Sequence, residues 1–389
     1  LGVAATIERM EKDGYQPAAW VKEMVASRPG FYGGAVSTPT YFDLGAKADV
    51  PVPSSEKAIS LAALRPTNEV LKNDGASLID LGDGVACLEF HTKMNALDGD
   101  VIGMIDQAVA RVERDFAGLV VGNQAVDAFS AGANIFMILV AAGNKDWKTI
   151  EMATKALQDS LMRLRYSDFP VVTAPFGLTL GGGVEVAMHG DATRAYAELY
   201  MGLVEVGVGL IPAGGGCKEM VCRALGNVPD GVDPFSLLQQ VFMTIAMAKV
   251  SMSAEEARGY GFLRAGDSIS MNRERLIADA KQVALDLVAE GYRPYRPRTD
   301  VTALGEPALA AFKLGIYQME QGGFISEHDA KIAGKLAKII TGGDLSYRST
   351  VTEQQLLDLE REAFLSLCGD PRTQARMRHI LKTGKPLRN

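Results

Sequence analysis

From Ala76 onward, short apolar runs alternate with stretches whose apolar residues recur every three or four positions. The runs ASLIDLG, GVACLEF and FAGLVVGNQ have strand length and are bounded by Gly, Asp or Asn, which predicts strands. DVIGMIDQAVARVERD and WKTIEMATKALQDSLMRLRY show helical spacing. They are followed by a strand, PVVTAPFG, a Gly-rich turn, a helix over VEVAMHGD and an apolar run, LYMGLVEVGVGLIP. Strands joined by helices predict an α/β architecture over roughly residues 76–270.

The flanks read differently. ATIERMEKDG and AAWVKEMVAS predict one or two short helices, after which Pro29 to Ser55 is rich in Gly, Pro and Ser with little periodicity, as a linker or extended arm would be. Beyond Met271 the pattern is almost all helix: RERLIADAKQVALDLVAEGY, EPALAAFKLGIYQMEQGG, SEHDAKIAGKLAKIITGG and TEQQLLDLEREAFLSL. Thr352 and Gln355 have the spacing of a capping box before the last of these. The expected division is 1–60, 61–270 and 271–389.

At 389 residues the chain exceeds one ordinary domain, and 47% hydrophobic with 22% charged residues suits a packed core rather than disorder. A net charge of −7 disfavours nucleic acid or an anionic membrane as partner. The four cysteines form no CxxC pair, so buried, reduced thiols in a cytoplasmic protein are expected. The four histidines form no HExxH, and no metal is expected. No apolar run approaches membrane-spanning length, so a soluble protein without membrane insertion is expected. The start has neither a signal region nor Met, which suggests part of a longer protein.

Two Gly-rich turns carry the candidate chemistry. Gly132 lies in FSAGANIFMIL, between the strand GLVVGNQ and an apolar helical segment, and Gly181 to Gly183 lie between PVVTAPFG and the next helix. Each turn places backbone N–H groups at a helix start, where intrahelical bonds do not consume them and the dipole favours negative charge. Two such turns could converge on one oxygen, as a thioester carbonyl requires when charge develops on it. A Gly-rich turn is also simply a way to pack closely. No G-x-G-x-x-G or G-x-x-x-x-G-K-[ST] occurs, which excludes the familiar nucleotide loops.

Glu185 follows the triple glycine on the first helical turn, and Glu205 sits in a stretch that is almost wholly apolar or glycine. A carboxyl there is either desolvated, with a raised pKa, or used. A lone Glu of this kind reads more readily as a structural carboxylate. Two around one Gly-rich cavity favour chemistry.

The runs FSAGANI, APFGLTLGGGVEVAM and MGLVEVGVGLIPAGGG, in that order and with Glu205 twenty residues after Glu185, resemble the enoyl-CoA hydratase (crotonase) family. The resemblance covers about residues 75–270 and implies the crotonase fold of repeated ββα units. It also implies helical C-terminal segments, homo-oligomers (usually trimers) and an acyl-CoA thioester substrate. It makes the Ala133 and Gly182 N–H groups an oxyanion hole and Glu185 and Glu205 the catalytic carboxylates. HTKMNAL at 91–97, with Lys93 and Met94, falls at the first CoA-binding loop, and Ala131 falls near the adenine end. Asn134, counted with the CoA-binding residues, stands where the family usually has Asp. The implied reaction is addition of water to an enoyl-CoA. An isomerase, which needs one carboxylate, and an idle domain that organises a dehydrogenase are the alternatives.

The flanks GYQPAAWVKEM, SLAALRPT and FLSLCGDPRTQARMRHILKTGKPLRN are similar to the C-terminal half of long bacterial 3-hydroxyacyl-CoA dehydrogenases of β-oxidation. On that resemblance residues 1–60 are a remnant of the dehydrogenase's helical domain plus an arm. NAD belongs to the absent half, this chain holds no cofactor, and a thiolase is an expected partner.

Overall fold

A computed structural model describes residues 2–35, 38–53, 57–226, 228 and 231–389, and its contacts divide the chain into two units, Leu1–Thr67 and Asn68–Asn389. The first unit begins with two helices where one or two were expected, Val3–Lys12 and Ala19–Ser27. Where a linker was expected, strands Tyr32–Ala35, Thr38–Asp43 and Ala48–Pro51 pair as an antiparallel sheet. Of the expected arm, residues 36–37 and 54–55 lie outside the described residues. The sequence hides this sheet for a physical reason. Its first strand is exposed throughout and the others are at best half-buried, so no apolar face imprints an alternating pattern. What fastens it is lateral: Trp20 and Phe31 pack with ring centroids 5.9 Å apart, while Arg28 lies 5.3 Å from the Phe42 ring and pairs with Asp49.

The second unit is built on a seven-stranded sheet in the order Ser268–Ser270, Ala192–Tyr196, Val171–Thr173, Gly118–Val121, Val85–Phe90, Ala76–Asp80 and Glu69–Lys72. The first five strands are parallel and the last two join antiparallel. The predicted strands at 76–80, 85–90 and 118–121 are buried almost throughout, as sheet strands covered on both faces should be. Helix Gly99–Asp115 starts where Asp98 accepts the N–H groups of Asp100 and Val101, each at 3.1 Å. It buries Val101, Met104, Ile105, Ala108, Val109 and Val112, the face that meets strands 76–80 and 85–90.

A second sheet of three parallel strands, Ala128–Ser130, Gly177–Leu180 and Leu199–Gly202, has the middle strand at its centre. The C-terminal helices Gly305–Gln321, Glu327–Ile340, Glu353–Cys368 and Pro371–Thr383 follow, with one antiparallel strand pair, Val301–Ala303 and Ser349–Val351. The capping box at Thr352 is present: Gln355 N donates to Thr352 Oγ1 at 3.1 Å and Thr352 N to Gln355 Oε1 at 2.7 Å. Helix Glu353–Cys368 packs on helices Trp147–Arg165 and Gly216–Leu225, and Pro371–Thr383 packs on Ile135–Gly143 and on the turn Glu205–Val208. No boundary in contacts therefore appears at residue 270.

Leu88, in the interior of the seven-stranded sheet, is fully buried. Leu88→Ala should lower the unfolding free energy by about 2–5 kcal/mol in urea titration, through lost burial and the cavity left behind.

Candidate active site

The three strands of the small sheet run parallel and end at Ser130, Leu180 and Gly202, so their carboxyl ends open at the same edge. Each end hands over one candidate segment. Ser130 leads into Ala131–Asn134, Leu180 into Gly181–Glu185, and Gly202 into the short helix Glu205–Val208.

The first two segments touch. Gly132 has φ +85°, and a Cβ on it would stand 2.7 Å from Leu180 O and 2.9 Å from Gly182 N. Gly181 has φ +54°, and a Cβ on Gly183 would stand 2.6 Å from Ser130 O. Glycine is thus demanded by backbone conformation and by close approach. A Cβ on Gly182 would lie 3.4 Å from Ala133 N, which makes the two proposed donor nitrogens neighbours. Gly182 is the first residue of helix Gly182–Met188, so its N–H has no partner within the helix. Leu97 N donates to Gly132 O and Asn134 N to Leu97 O on either side of Ala133. Among the described residues no acceptor takes the N–H of Ala133 or of Gly182.

Glu185 is buried, and its Oε1 accepts the N–H of Gly214 at 2.7 Å and of Gly216 at 2.8 Å, at the start of helix Gly216–Leu225. Burial pushes its carboxyl up to about 7 against the opposing pull of those two N–H groups and of Lys218. Glu205 is half-buried, but its Oε2 is sealed from solvent with no hydrogen-bond partner. Its Oε1 lies 3.1 Å from where a Gly181 Cβ would be, against the second Gly turn. Burial first, and the charge of Glu185 second, hold the Glu205 carboxyl well above the usual range.

Behind Glu185 lies a buried polar network. Lys218 Nζ pairs with Glu219 at 2.6 Å and Glu353 at 3.2 Å, and stands 3.1 Å from His189 Nε2. Burial and then Lys218 push the His189 ring down to about 3, so it is neutral. Lys218 can only donate and the Glu185 carbonyl can only accept, which assigns the ring proton to Nδ1, 2.7 Å from Glu185 O.

Lys93 and Met94 are both exposed, on the turn Lys93–Asn95, where Met94 has φ +58°. Ala131 N donates to Met94 O at 3.1 Å and Leu97 N to Gly132 O at 2.9 Å, so the 91–97 loop is laced to the first Gly turn. Asn134 Oδ1 accepts Met137 N at 3.4 Å and caps helix Ile135–Gly143, a task that needs no charge. Phe136 and Met137 on that helix are more than half exposed beside the turn.

Two features escaped sequence reasoning. Asn95 is buried, donating from Nδ2 to Ala128 O at 2.9 Å while its carbonyl accepts Ser130 Oγ at 2.7 Å. Gly214 and Gly216 bind Glu185, and Glu360 meets the same turn through Gly215 and Lys218. The only signal for the former was the run PAGGG, which reads as mere surroundings of Glu205. For Glu360 there was none.

Among the described residues no helix is long and apolar enough to cross a membrane. Residues 80–267 match the family model for enoyl-CoA hydratase/isomerase. The whole chain is 46% identical over 391 residues to a probable 3-hydroxyacyl-CoA dehydrogenase of Bacillus subtilis (strain 168), covering 49% of that protein. It is 28% identical over 319 residues to a putative fatty acid oxidation complex trifunctional enzyme of Rickettsia felis, which takes in 82% of this chain and 40% of the relative. The chain thus spans about half the length of the curated relatives it matches, or less. Among solved structures, an enoyl-CoA hydratase from Bacillus halodurans is 17% identical with a TM-score of 0.54, over 79% of this chain and all of that one, a likeness of fold. Matched in sequence and in fold, residues 80–267 form a crotonase-fold domain of the enoyl-CoA hydratase/isomerase family.

Proposed function

We propose that this domain hydrates enoyl-CoA thioesters, adding water to the same face of a trans double bond to give the 3-hydroxyacyl-CoA. The observation that carries this reading is the unequal environment of two desolvated carboxyls at one Gly-rich edge. Glu185 has two N–H donors and Lys218 favouring its ionised form, whereas Glu205 Oε2 has no partner and feels the charge of Glu185. Environments that push two carboxyls apart assign the base and the acid. Glu185 takes a proton from water as it attacks the β-carbon, and Glu205 gives a proton to the α-carbon. The thioester oxygen, which carries the developing negative charge, is received by the N–H groups of Ala133 and Gly182. Lys93, Met94, Ala131 and Asn134 line the path proposed for the CoA portion.

The same reading places the domain in a longer cytoplasmic β-oxidation protein, supported by the names of the relatives that the chain half covers. NAD chemistry would then belong to the part outside this chain, and further copies and a thiolase would be its partners.

Glu185→Gln and Glu205→Gln should each reduce hydration of crotonyl-CoA by about a hundredfold or more while thioester binding changes little. The loss of conjugated thioester absorbance reads the first quantity and calorimetry the second. Near wild-type turnover in either variant overturns its assignment.

The pH dependence follows from the two directions. A base must be ionised, so kcat should fall as pH drops through about 7, and an acid must be protonated, so it should fall again above the raised pKa of Glu205. A single unbroken plateau through neutral pH would contradict this.

Stability should move with the same group. Native Glu185 keeps its proton to about 7, whereas an unfolded Glu loses it near 4.5, so its burial destabilises the fold increasingly across that interval. Glu185→Gln retains Oε1 for Gly214 and Gly216 but cannot ionise. Its Tm relative to wild type should therefore rise between about pH 4.5 and pH 7 in calorimetric scans and level off above.

A further inference from the structure

The turn Gly214–Lys218 is gripped from two sides. Glu185 Oε1 accepts the N–H of Gly214 and of Gly216, while Glu360 Oε2 accepts Gly215 N at 2.9 Å and Glu360 Oε1 accepts Lys218 N at 2.6 Å. Alternate amides thus face opposite acids. The glycines make room for this: a Cβ on Gly214 would stand 2.5 Å from Glu185 Oε2, one on Gly216 2.9 Å from Glu185 Oε1, and Gly215 has φ +107°. A turn of three glycines has little stiffness of its own, because each lacks the side chain that restricts φ and ψ.

A buried second acid is a poor choice for stability alone. Glu360 is fully buried, and burial together with the charge of Glu185 opposes its ionisation, with Lys218 and the two N–H groups acting in its favour. A neutral acceptor would avoid that penalty. The same stretch has another tie to helix Glu353–Cys368: buried Gln158 donates from Nε2 to Ala213 O at 2.8 Å and to Leu357 O at 2.9 Å, and its Oε1 accepts Arg361 at 2.6 Å. This helix lies outside the family-matched residues 80–267.

We propose that Glu360 is a positioning residue: by holding the N–H groups of Gly215 and Lys218 it keeps those of Gly214 and Gly216 on Glu185 Oε1, and so fixes where the Glu185 carboxyl points. The inference rests on the reading of Glu185 as the base for hydration. Glu360→Gln retains the size of the side chain but turns an NH2 toward one of two N–H donors, so one amide of the turn loses its acceptor.

The test is a double-mutant cycle on crotonyl-CoA hydration with wild type, E360Q, E185Q and the double variant. In the wild-type background E360Q should lower kcat by about tenfold or more with KM within about threefold. In the E185Q background E360Q should change the residual rate by less than about threefold. Unchanged kcat in E360Q, or the same fold-loss in both backgrounds, overturns the proposal. Should circular dichroism show E360Q unfolded, E360D, which keeps a carboxyl on a shorter stem, is judged by the same cycle. Failure of the underlying reading looks different: E185Q itself would then hydrate at near the wild-type rate.

Discussion

A carboxylate taken out of water must be given hydrogen-bond donors or lose its charge, and that constraint organises this domain around Glu185. Its donors are main-chain amides of Gly214 and Gly216. The first amides of a helix have no acceptor within it, so the start of helix Gly216–Leu225 lets Gly216 offer its N–H beside that of Gly214. The approach is so close that side chains are excluded at 214 and 216. A glycine turn then needs fastening, and Glu360 and Gln158 supply it from helices that pack against each other. The C-terminal helices are therefore structurally continuous with the domain whose chemistry they border.

Much of this was legible in the chain. Glu185, Glu205 and the glycines at 132 and 181–183 announce themselves because the surrounding residues are apolar or small, so a charged group among them needs a reason. The strands at 76–80, 85–90 and 118–121 were legible because burial on both faces leaves unbroken apolar runs. The sheet at 32–51 left no such mark, since its strands bury no continuous face. Glu360 was illegible for another reason. It sits in LLDLEREAFLSL, where Glu at a helix position looks like any solvated surface charge, and only long-range packing turns it inward. Asn95 belongs to the same class, a polar residue whose partners, Ala128 and Ser130, lie far along the chain.

The buried ions behind Glu185 do not account for themselves as stability. Lys218, Glu219 and Glu353 are taken out of water, and such groups roughly break even against well-packed apolar residues. What they do accomplish is orientation. Burial and then Lys218 keep His189 neutral, and Lys218 accepts no proton from it, so the ring must donate through Nδ1 to the carbonyl of Glu185. The residue is thereby held at its main chain as well as at its carboxyl.

Glu205 is held by different means. The short helix it opens is fixed from helix Pro371–Thr383, where Arg376 Nη1 donates to Val206 O at 3.3 Å and pairs with Asp329 at 2.7 Å, and Thr373 Oγ1 donates to Gly209 O at 2.8 Å. None of these groups reaches its carboxyl, whose Oε2 stays unpartnered. The two acids thus depend on separate helices, one gripped at the charge and the other only at the backbone. An ionised form is stabilised where the grip includes N–H donors and disfavoured where it does not, so a difference in proton affinity between two glutamates at one cleft follows from which part of each residue the fold holds.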